Sequence, residues 1–541
     1  MHFGRPKFEN SDLKLSDMCM SEANIPAETI SETSESDQTR LVHWATLCMI
    51  IAAGAWLRFH DLGAGSIWLE EAFAWSQSKD SLGELISRTA QDIHLPLHNL
   101  FLYVSINLFG DGEWSLRLPS AIFGTANILA IYWLGSMTCG RITGLLAASF
   151  LALSGFHIWY SQEARMYPLF SLTATLFAAS SFYFFKSPTI SRGALVSLAG
   201  LTLLYSHPFG ALYWIAIVIA ISLFSLTVPD TPRRTFVIWV GSNGLAAAGF
   251  VPWAWLTLNK AADFHAQGSF ASWAVFPSPE VIDHELNDVV GTRVMAAVIL
   301  VGIVLAFLPA RHAVGGENQR ATKTPLFVFL VWALLPIALI VFISIASTPM
   351  FAARYLIGSL PALLLASAYG LSPLVRGRTG IWVVAILSVA IITGYVRYTT
   401  PTHPDWRGVA AMLRERVGPS DCVFVYRRNA IVPLSYYSRK QLPCQILLGP
   451  VEHHWQKSIT SDRLLLFKSV EDLKQQSIAN RLFVVFWDGN PDAETDQLLD
   501  TLGAGVWSAR QKFEFHGVQA IEFGKAPHGT DRHGRHGKVQ R

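Results

Sequence analysis

The sequence predicts a multi-pass α-helical membrane protein with a small α/β domain at its C-terminal end. Hydrophobic residues make up 51% of the 541-residue chain and charged residues only 15%, and the mean hydropathy is +0.34. Soluble domains carry about 25% charged residues, so this composition is that of a membrane protein. Apolar segments recur up to residue 396, and beyond residue 400 short apolar runs alternate with helical patterns.

Composition divides the chain into four parts. Residues 1–40 are polar and rich in Ser and Glu, and they are expected to form a disordered cytoplasmic tail. The apolar segments occupy residues 41–400, and the α/β pattern occupies residues 401–525. Residues 526–541 are rich in Gly, His and Arg and are also expected to be disordered. The formal net charge of +3 gives no indication of a nucleic-acid partner.

About eleven segments are apolar enough to cross a bilayer, although several are short. The first, 41–59, would act as an uncleaved anchor. The others lie at roughly 116–137, 142–157, 165–185, 193–205, 208–228, 235–257, 293–310, 325–347, 355–373 and 380–396.

The placement of Arg and Lys predicts the orientation, because short cytoplasmic loops carry an excess of these residues. Five basic loops alternate with loops poor in basic residues. They contain Arg141, Lys186 with Arg192, Arg233 with Arg234, the segment 311–323, and Arg376 with Arg378. The N-terminus is therefore expected in the cytoplasm, and the loop 60–115 and the region after Arg397 on the opposite side. This scheme requires the apolar piece 98–110 to be a surface or re-entrant helix.

The α/β domain is predicted from strands at 422–426, 445–448 and 482–487 and helices at 405–417, 470–480 and 493–502. It has no Gly-rich phosphate-binding motif, so a binding or supporting role is expected. Cys422 and Cys444 could form a disulfide if the domain is extracytoplasmic. The five cysteines of the chain show no metal-like spacing.

Ionisable residues gather in the loops that face away from the cytoplasm. The first loop contains the acidic pair Glu70 and Glu71, and a carboxylate there could accept a proton. The other candidates, all for substrate binding, are Asp92, His94, Arg117, Glu163, Arg165, Tyr167, His207, Arg354 and Tyr355. Taken singly, several have plainer explanations: Asp92 could cap a helix, Glu163 could pair with Arg165, His207 could be a satisfied interfacial histidine, and Arg354 could reach a lipid phosphate.

Five motifs occur in order within residues 41–400. They read Trp-x-Glu-Glu-Ala-Phe, Asp-x-His-x-Pro-Leu, Leu-Arg-Leu-Pro-Ser-Ala-Ile-Phe-Gly, Gln-Glu-Ala-Arg-Met-Tyr and Arg-Tyr-Leu-x-x-x-Leu-Pro. Together they resemble GT-C glycosyltransferases, in particular the bacterial group similar to protein O-mannosyltransferases and aminoarabinose transferases (glycosyltransferase family 39-like). Many such enzymes also carry an extracytoplasmic C-terminal domain.

The resemblance implies transfer of a sugar from a polyprenyl-phosphate donor to a lipid, glycan or protein acceptor, at the outer face of the cytoplasmic membrane. The family's Asp-Glu pair falls on Glu70 and Glu71, so Glu70 replaces the usual Asp. Its extra methylene implies that the acceptor sits differently, that Glu71 shares the work, or that activity is weaker. Arg117 would lie near the acidic pair and the donor phosphate. No cofactor is certain, and a divalent cation could assist, since the family has metal-dependent and metal-independent members.

A transporter or lipid flippase is the alternative class. It predicts charged residues inside the spans and an internal repeat. The apolar segments are nearly free of charge and show no repeat at a fixed period. Glycosyl transfer is therefore favoured.

Overall fold

A computed structural model describes residues 37–227, 232–266, 276–308, 319–375, 403–426, 430–438, 444–448, 464–466, 480–487, 500, 502 and 507–525. The predicted tails (apart from 37–40), the span at 380–396, the helix at 470–480 and most of that at 493–502 lie outside these residues. By its internal contacts the chain divides into residues 1–48 and 49–541. The first unit contributes the start of one helix, and all contacts given below are within the second.

The described part between residues 37 and 375 is helical. Its α-helices are α1 (Asp37–Phe59), α2 (Leu69–Ser78), α3 (Leu82–Ala90), α4 (Pro96–Phe109), α5 (Glu113–Cys139), α6 (Arg141–Ala152), α7 (Gly155–Ser161), α8 (Tyr167–Lys186), α9 (Ile190–Ser206), α10 (Gly210–Thr227), α11 (Arg233–Ala266), α12 (Pro279–Val290), α13 (Arg293–Ala306), α14 (Gln319–Ala346) and α15 (Leu360–Val375). A 3₁₀ helix, Ala353–Gly358, precedes α15.

Five of these helices are long and apolar enough to cross a membrane, namely α1, α5, α8, α11 and α14. Two bent pairs, α6 with α7 (61°) and α12 with α13 (83°), bring the number to seven if each pair is one span. Shorter apolar helices are α9, α10 and α15. A multi-pass helical membrane protein is therefore confirmed, whereas the count of eleven stays a prediction. The segment predicted not to cross forms α4, which is not among the candidate spans.

The bend between α6 and α7 is held by an arginine of α1. The last carbonyl groups of a helix have no partner within it. Arg58, which is fully buried, donates to two of them, from Nη2 to Leu151 O and from Nη1 to Ala152 O, each at 2.9 Å. Its Nη2 also lies 3.1 Å from Nδ1 of His157, in the first turn of α7. One side chain thus joins both halves of the broken helix to α1.

The C-terminal region is built on a six-stranded sheet with the order β3-β2-β1-β4-β6-β5. Its strands are β1 (Cys422–Tyr426), β2 (Gln445–Leu448), β3 (Leu464–Leu466), β4 (Arg481–Trp487), β5 (Trp507–Phe515) and β6 (Val518–Lys525). β1 to β4 pair in parallel, and β6 pairs antiparallel with β4 and β5. The three predicted strands are present, while β3 and the hairpin of β5 and β6 were not predicted.

Two helices flank the described sheet, α16 (Trp406–Arg416) and α17 (Ile431–Ser438). α16 was predicted, and it begins where the Asp405 side chain accepts a hydrogen bond from Gly408 N at 2.9 Å. α17 was not predicted. Cys422 and Cys444 are free and buried, so the disulfide suggested for them is absent from the structure.

The sheet and the first loop share one hydrophobic core. Trp406 and Leu413 of α16 are fully buried in the same cluster as Trp75 of α2, Leu102 of α4 and Leu116 of α5. The C-terminal region therefore packs directly against α2, which carries the acidic pair, and against α4 and α5.

Candidate active site

The acidic pair lies in the first turn of α2. Trp68 precedes the helix in an extended conformation, and its N–H donates to Glu71 Oε2 at 3.4 Å, which turns this carboxylate back toward the helix start. Neighbouring residues of a helix project about 100° apart, so the two carboxylates diverge. The Glu71 side chain is fully buried, whereas that of Glu70 is 21% exposed.

Glu71 is locked by Arg117 of α5. The guanidinium binds both carboxylate oxygens, at 2.7 Å through Nε and 2.8 Å through Nη2. Its remaining N–H groups donate to the carbonyls of Leu62, Gly65 and Ser66, each at 3.0 Å. All five guanidinium donors are therefore occupied. Burial would raise the pKa of Glu71, but the charge and hydrogen bonds of Arg117 outweigh it and hold that pKa below its ordinary value.

Glu70 lies between two arginines that are distant in sequence. Arg354 Nη1 donates to its Oε1 at 2.9 Å, and Arg165 Nε lies 3.2 Å from its Oε2. Burial would raise the pKa of Glu70, yet Arg165 and Arg354, with His94, lower it below the ordinary value. Glu70 is thus a partly exposed, ionised carboxylate held by two guanidinium groups.

Asp92 and His94 form a hydrogen-bonded pair next to Arg165. Asp92 Oδ2 lies 2.7 Å from Nδ1 of His94 and also accepts from Gln77 Nε2 at 2.9 Å. Nε2 of His94 lies 3.4 Å from Arg165 Nη2. The sequence suggested that Asp92 could cap the following helix, α4. In the structure it does not, because its other oxygen accepts a hydrogen bond from the N–H of Ile93.

An aromatic group lies beside the two arginines. Arg165 stands over the ring of Tyr167 at 5.7 Å and Arg354 over that of Tyr355 at 5.4 Å, within the range of cation–π attraction. His207 stacks on Phe170 with ring centroids 4.6 Å apart, and its ring lies 5.5 Å from that of Tyr355. The structure therefore brings His207 to the same group.

Glu163 has a different partner from the one considered in the sequence. Arg165 binds Glu70, and Glu163 Oε1 instead lies 3.5 Å from Nε2 of His403, just ahead of α16. Burial raises the pKa of Glu163 well above its ordinary value, and Glu71 and Glu70 add to the rise. Burial also lowers the pKa of His403. Both shifts favour the uncharged forms of the two groups.

A cavity of about 380 Å³ connects these groups with the C-terminal domain. Its lining residues are Trp68, Glu70, Trp159, Tyr160, Glu163, Arg354, His403, Pro404, Trp487 and Gly517. Sequence reasoning found three of them, Glu70, Glu163 and Arg354. It missed His403, Trp159 and Trp487, which lie in none of the five motifs and meet only through the fold.

Among the described residues, no group of three or more His, Cys, Asp and Glu side chains could hold a metal ion. The two carboxylates of α2 are each held by arginine, and Asp92 is held by His94 and Gln77. The described part of the site is therefore arranged around carboxylate–arginine pairs.

No protein-family model matches the chain, and no curated protein sequence matches it. Several solved structures, however, match the chain in fold. ArnT from Cupriavidus metallidurans in the apo state is 13% identical, with a TM-score of 0.60 over 89% of this chain and 98% of that one. The same protein bound to undecaprenyl phosphate gives a TM-score of 0.54, with 88% of this chain and 98% of that one covered at 13% identity.

A third similar structure is the archaeal oligosaccharyltransferase AglB from Archaeoglobus fulgidus, in complex with an inhibitory peptide and a dolichol-phosphate. It is 11% identical, with a TM-score of 0.52 over 92% of this chain and 76% of that one. At these identities the likeness is one of fold. The chain therefore has the fold of GT-C glycosyltransferases, as the order of its motifs predicts.

Proposed function

We propose that this protein transfers a sugar from a polyprenyl-phosphate donor to a hydroxyl group of an acceptor at the outer face of the membrane. The observation that carries the proposal is Glu70, an ionised carboxylate that lines a cavity and is held between Arg165 and Arg354. The fold shared with ArnT and AglB, whose solved complexes contain undecaprenyl phosphate and dolichol-phosphate, supports a lipid-linked donor.

In the proposed reaction, the acceptor oxygen forms a bond to the anomeric carbon while the carbon–oxygen bond to the phosphate breaks. The proton of the acceptor hydroxyl passes to Glu70, and the phosphate leaves with the bonding electrons. Attack opposite the phosphate inverts the anomeric configuration. Arg165 and Arg354 stabilise the charge that develops on the leaving phosphate.

The other residues of the site position the groups that react. Glu71 and Arg117 are buried, and Arg117 has no N–H group left for a phosphate. We therefore propose that this ion pair fixes the position of α2. Asp92 and His94 orient Arg165. The aromatic group of Tyr167, His207 and Tyr355 flanks the phosphate position. A lipid, glycan or protein acceptor fits the general scheme, and the described residues assign no ligands to a divalent cation.

The location follows from the basic loops. We propose a protein of the cytoplasmic (inner) membrane with about eleven spans, its N-terminus in the cytoplasm and the domain of residues 401–525 outside. On this side the acidic pair and the C-terminal domain would meet the donor in the outer leaflet. For the domain organisation we propose the four parts that the composition of the chain indicates.

The test is release of polyprenyl phosphate from a panel of polyprenyl-phosphate-linked sugars, in membranes that contain the protein. Glu70→Gln should lower the rate roughly 10²- to 10⁴-fold, because an amide keeps the shape but cannot accept the proton. Glu84→Gln, on the exposed face of α3, is the matched control and should behave as wild type.

Near-normal turnover by Glu70→Gln together with a loss in Glu71→Gln would reassign the base to Glu71. No release from any donor, together with movement of a lipid-linked sugar between leaflets, would favour the flippase alternative instead.

A further inference from the structure

The cavity beside Glu70 has walls from two parts of the chain. Trp68 and Glu163 come from the membrane region, while Trp487 at the end of β4 and Gly517 in the β5–β6 turn come from the C-terminal domain. Its volume of about 380 Å³ lies in the range of small-molecule sites, which is roughly 300–1,000 Å³. A molecule in this cavity would touch the C-terminal domain and the proposed base together.

The cavity is lined by indole rings whose positions are fixed. His403 stacks on Trp68 with ring centroids 5.4 Å apart and an angle of 18° between the planes. Its ring also lies 4.9 Å from that of Trp159, at 36°. Trp487 contacts Trp406 of the hydrophobic core edge to face. Preformed aromatic faces suit flat, partly apolar ligand surfaces, because little side-chain freedom is lost on binding.

Glu163 supplies a polar group that lacks a partner in the structure. Its residue is 2% exposed, and its Oε2 atom has no hydrogen-bond partner. A buried polar atom without a hydrogen-bond partner destabilises the protein, so a ligand that supplies a partner is favoured. Burial raises the pKa of Glu163 and so favours its protonated form, which can donate a hydrogen bond to a hydroxyl group as well as accept one.

We propose that this cavity binds the acceptor and that the acceptor's reacting end is a pyranose sugar. The C–H faces of such a ring pack on the indoles, and its hydroxyls meet Glu163, His403 and Glu70. An acyl chain would leave these polar groups unpaired. The donor sugar is assigned elsewhere, because its phosphate must reach the arginines from the membrane, whereas this cavity is also lined by Trp487 and Gly517 of the C-terminal region. This inference rests on the proposed function.

The test is direct binding of soluble pyranose oligosaccharides to the purified full-length protein, by saturation-transfer NMR and calorimetry, with no donor present. Trp487→Leu should weaken binding roughly three- to tenfold, and Trp487→Phe should retain most of it, because the ring face is kept. Trp255→Ala, an exposed tryptophan on α11, is the matched control and should bind as wild type. Glu163→Leu should weaken binding, and Glu163→Gln, which still donates, should retain it.

Two outcomes would overturn the inference: no pyranose bound by the wild-type protein, or equal affinity in Trp487→Leu and Trp487→Phe. Binding of a Ser- or Thr-containing peptide that depends on Trp487, without sugar binding, would also overturn it. Release of polyprenyl phosphate by a protein that binds no sugar would leave the proposed function intact. Sugar binding without release from any donor would instead remove the proposed function and keep the cavity as a sugar site.

Discussion

The three arginines around the acidic pair differ in how far a substrate could reach them. Arg117 is 4% exposed and all its donors are taken by Glu71 and backbone carbonyls. Arg354 is 21% exposed and contacts Glu70 with one Nη atom. Arg165, for which Glu163 was one possible partner, is 7% exposed and stands beside Glu70 instead. Arg165 and Arg354 are therefore the candidates for a phosphate, and Arg117 is a positioning residue.

Replacing each arginine by Lys separates these roles. Arg354→Lys should insert normally but lose turnover by on the order of 2–4 kcal/mol of transition-state stabilisation, because a point charge replaces a planar fork. Arg117→Lys should instead reduce the yield of folded protein, since three ammonium donors cannot satisfy five acceptor contacts. Turnover of polyprenyl phospho-sugar is compared with the amount of monodisperse protein in detergent. Wild-type turnover in both Arg354→Lys and Arg165→Lys would mean that the phosphate is held elsewhere.

The raised pKa of Glu163 gives a pH signature. A group whose pKa is higher in the folded protein contributes stability that is complete below its unfolded pKa, about 4.3, and that is lost as pH rises toward the folded value. Glu163→Gln has no such titration, so its thermal stability relative to wild type should increase as pH rises from 5 to 8. Unfolding temperatures in detergent at several pH values measure this. A difference that stays constant with pH would show that Glu163 is ionised in the folded protein.

At the scale of elements, two arginines bind backbone carbonyls of the short segment 62–66 that leads into α2. Arg117 binds it from α5, and Arg407 binds it from α16, donating to Gly63 O at 3.1 Å and Ala64 O at 3.2 Å. Arg407 also contacts Glu113 at the start of α5, at 2.8 Å. The C-terminal domain therefore holds the segment that places the acidic pair.

Arg407→Gln tests this connection at a distance from the chemistry. It should lower turnover roughly three- to tenfold, because small displacements of a catalytic group are costly, while the protein still folds. Lys512→Gln, on the exposed strand β5, provides the comparison and should leave turnover unchanged. Equal rates in both variants and the wild type would show that α2 is positioned without the C-terminal domain.

At the scale of the whole molecule, α2, α4 and α5 share one hydrophobic core with α16 and the sheet, which the proposed orientation places outside the cytoplasm. The basic loops 141 and 233–234 belong to the opposite side in the proposed orientation. Sidedness is therefore the property of the whole chain on which the donor's access depends.

Reporter fusions measure directly on which side of the membrane each loop lies. A fusion after Arg234 should report the cytoplasm and one after Thr400 the outside, because the basic loops alternate in that sense. A reporter active only outside and one active only inside should be used at both points. The same sidedness at the two points would contradict the orientation and the proposed approach of donor and acceptor.

The sequence by itself determined the membrane class, the GT-C fold and the strands at Cys422–Tyr426 and Gln445–Leu448, because these depend on local composition, motif order and runs of apolar residues. The β5–β6 hairpin had a signal that was not used, alternating residues on both sides of Gly517, whose φ is 67°.

Only the tertiary structure decided which side chains meet. Glu70 and Arg354 are separated by 284 residues, and His403, just ahead of α16, reaches Glu163. A charged residue in a loop can pair with any opposite charge that the fold brings near, so the local pattern could only suggest Glu163 as a possible partner for Arg165, which contacts Glu70 instead. Whether Arg117 faces a ligand or a ring of carbonyls, and which carboxyl stays neutral, depend on burial and distance, which are properties of the packed chain.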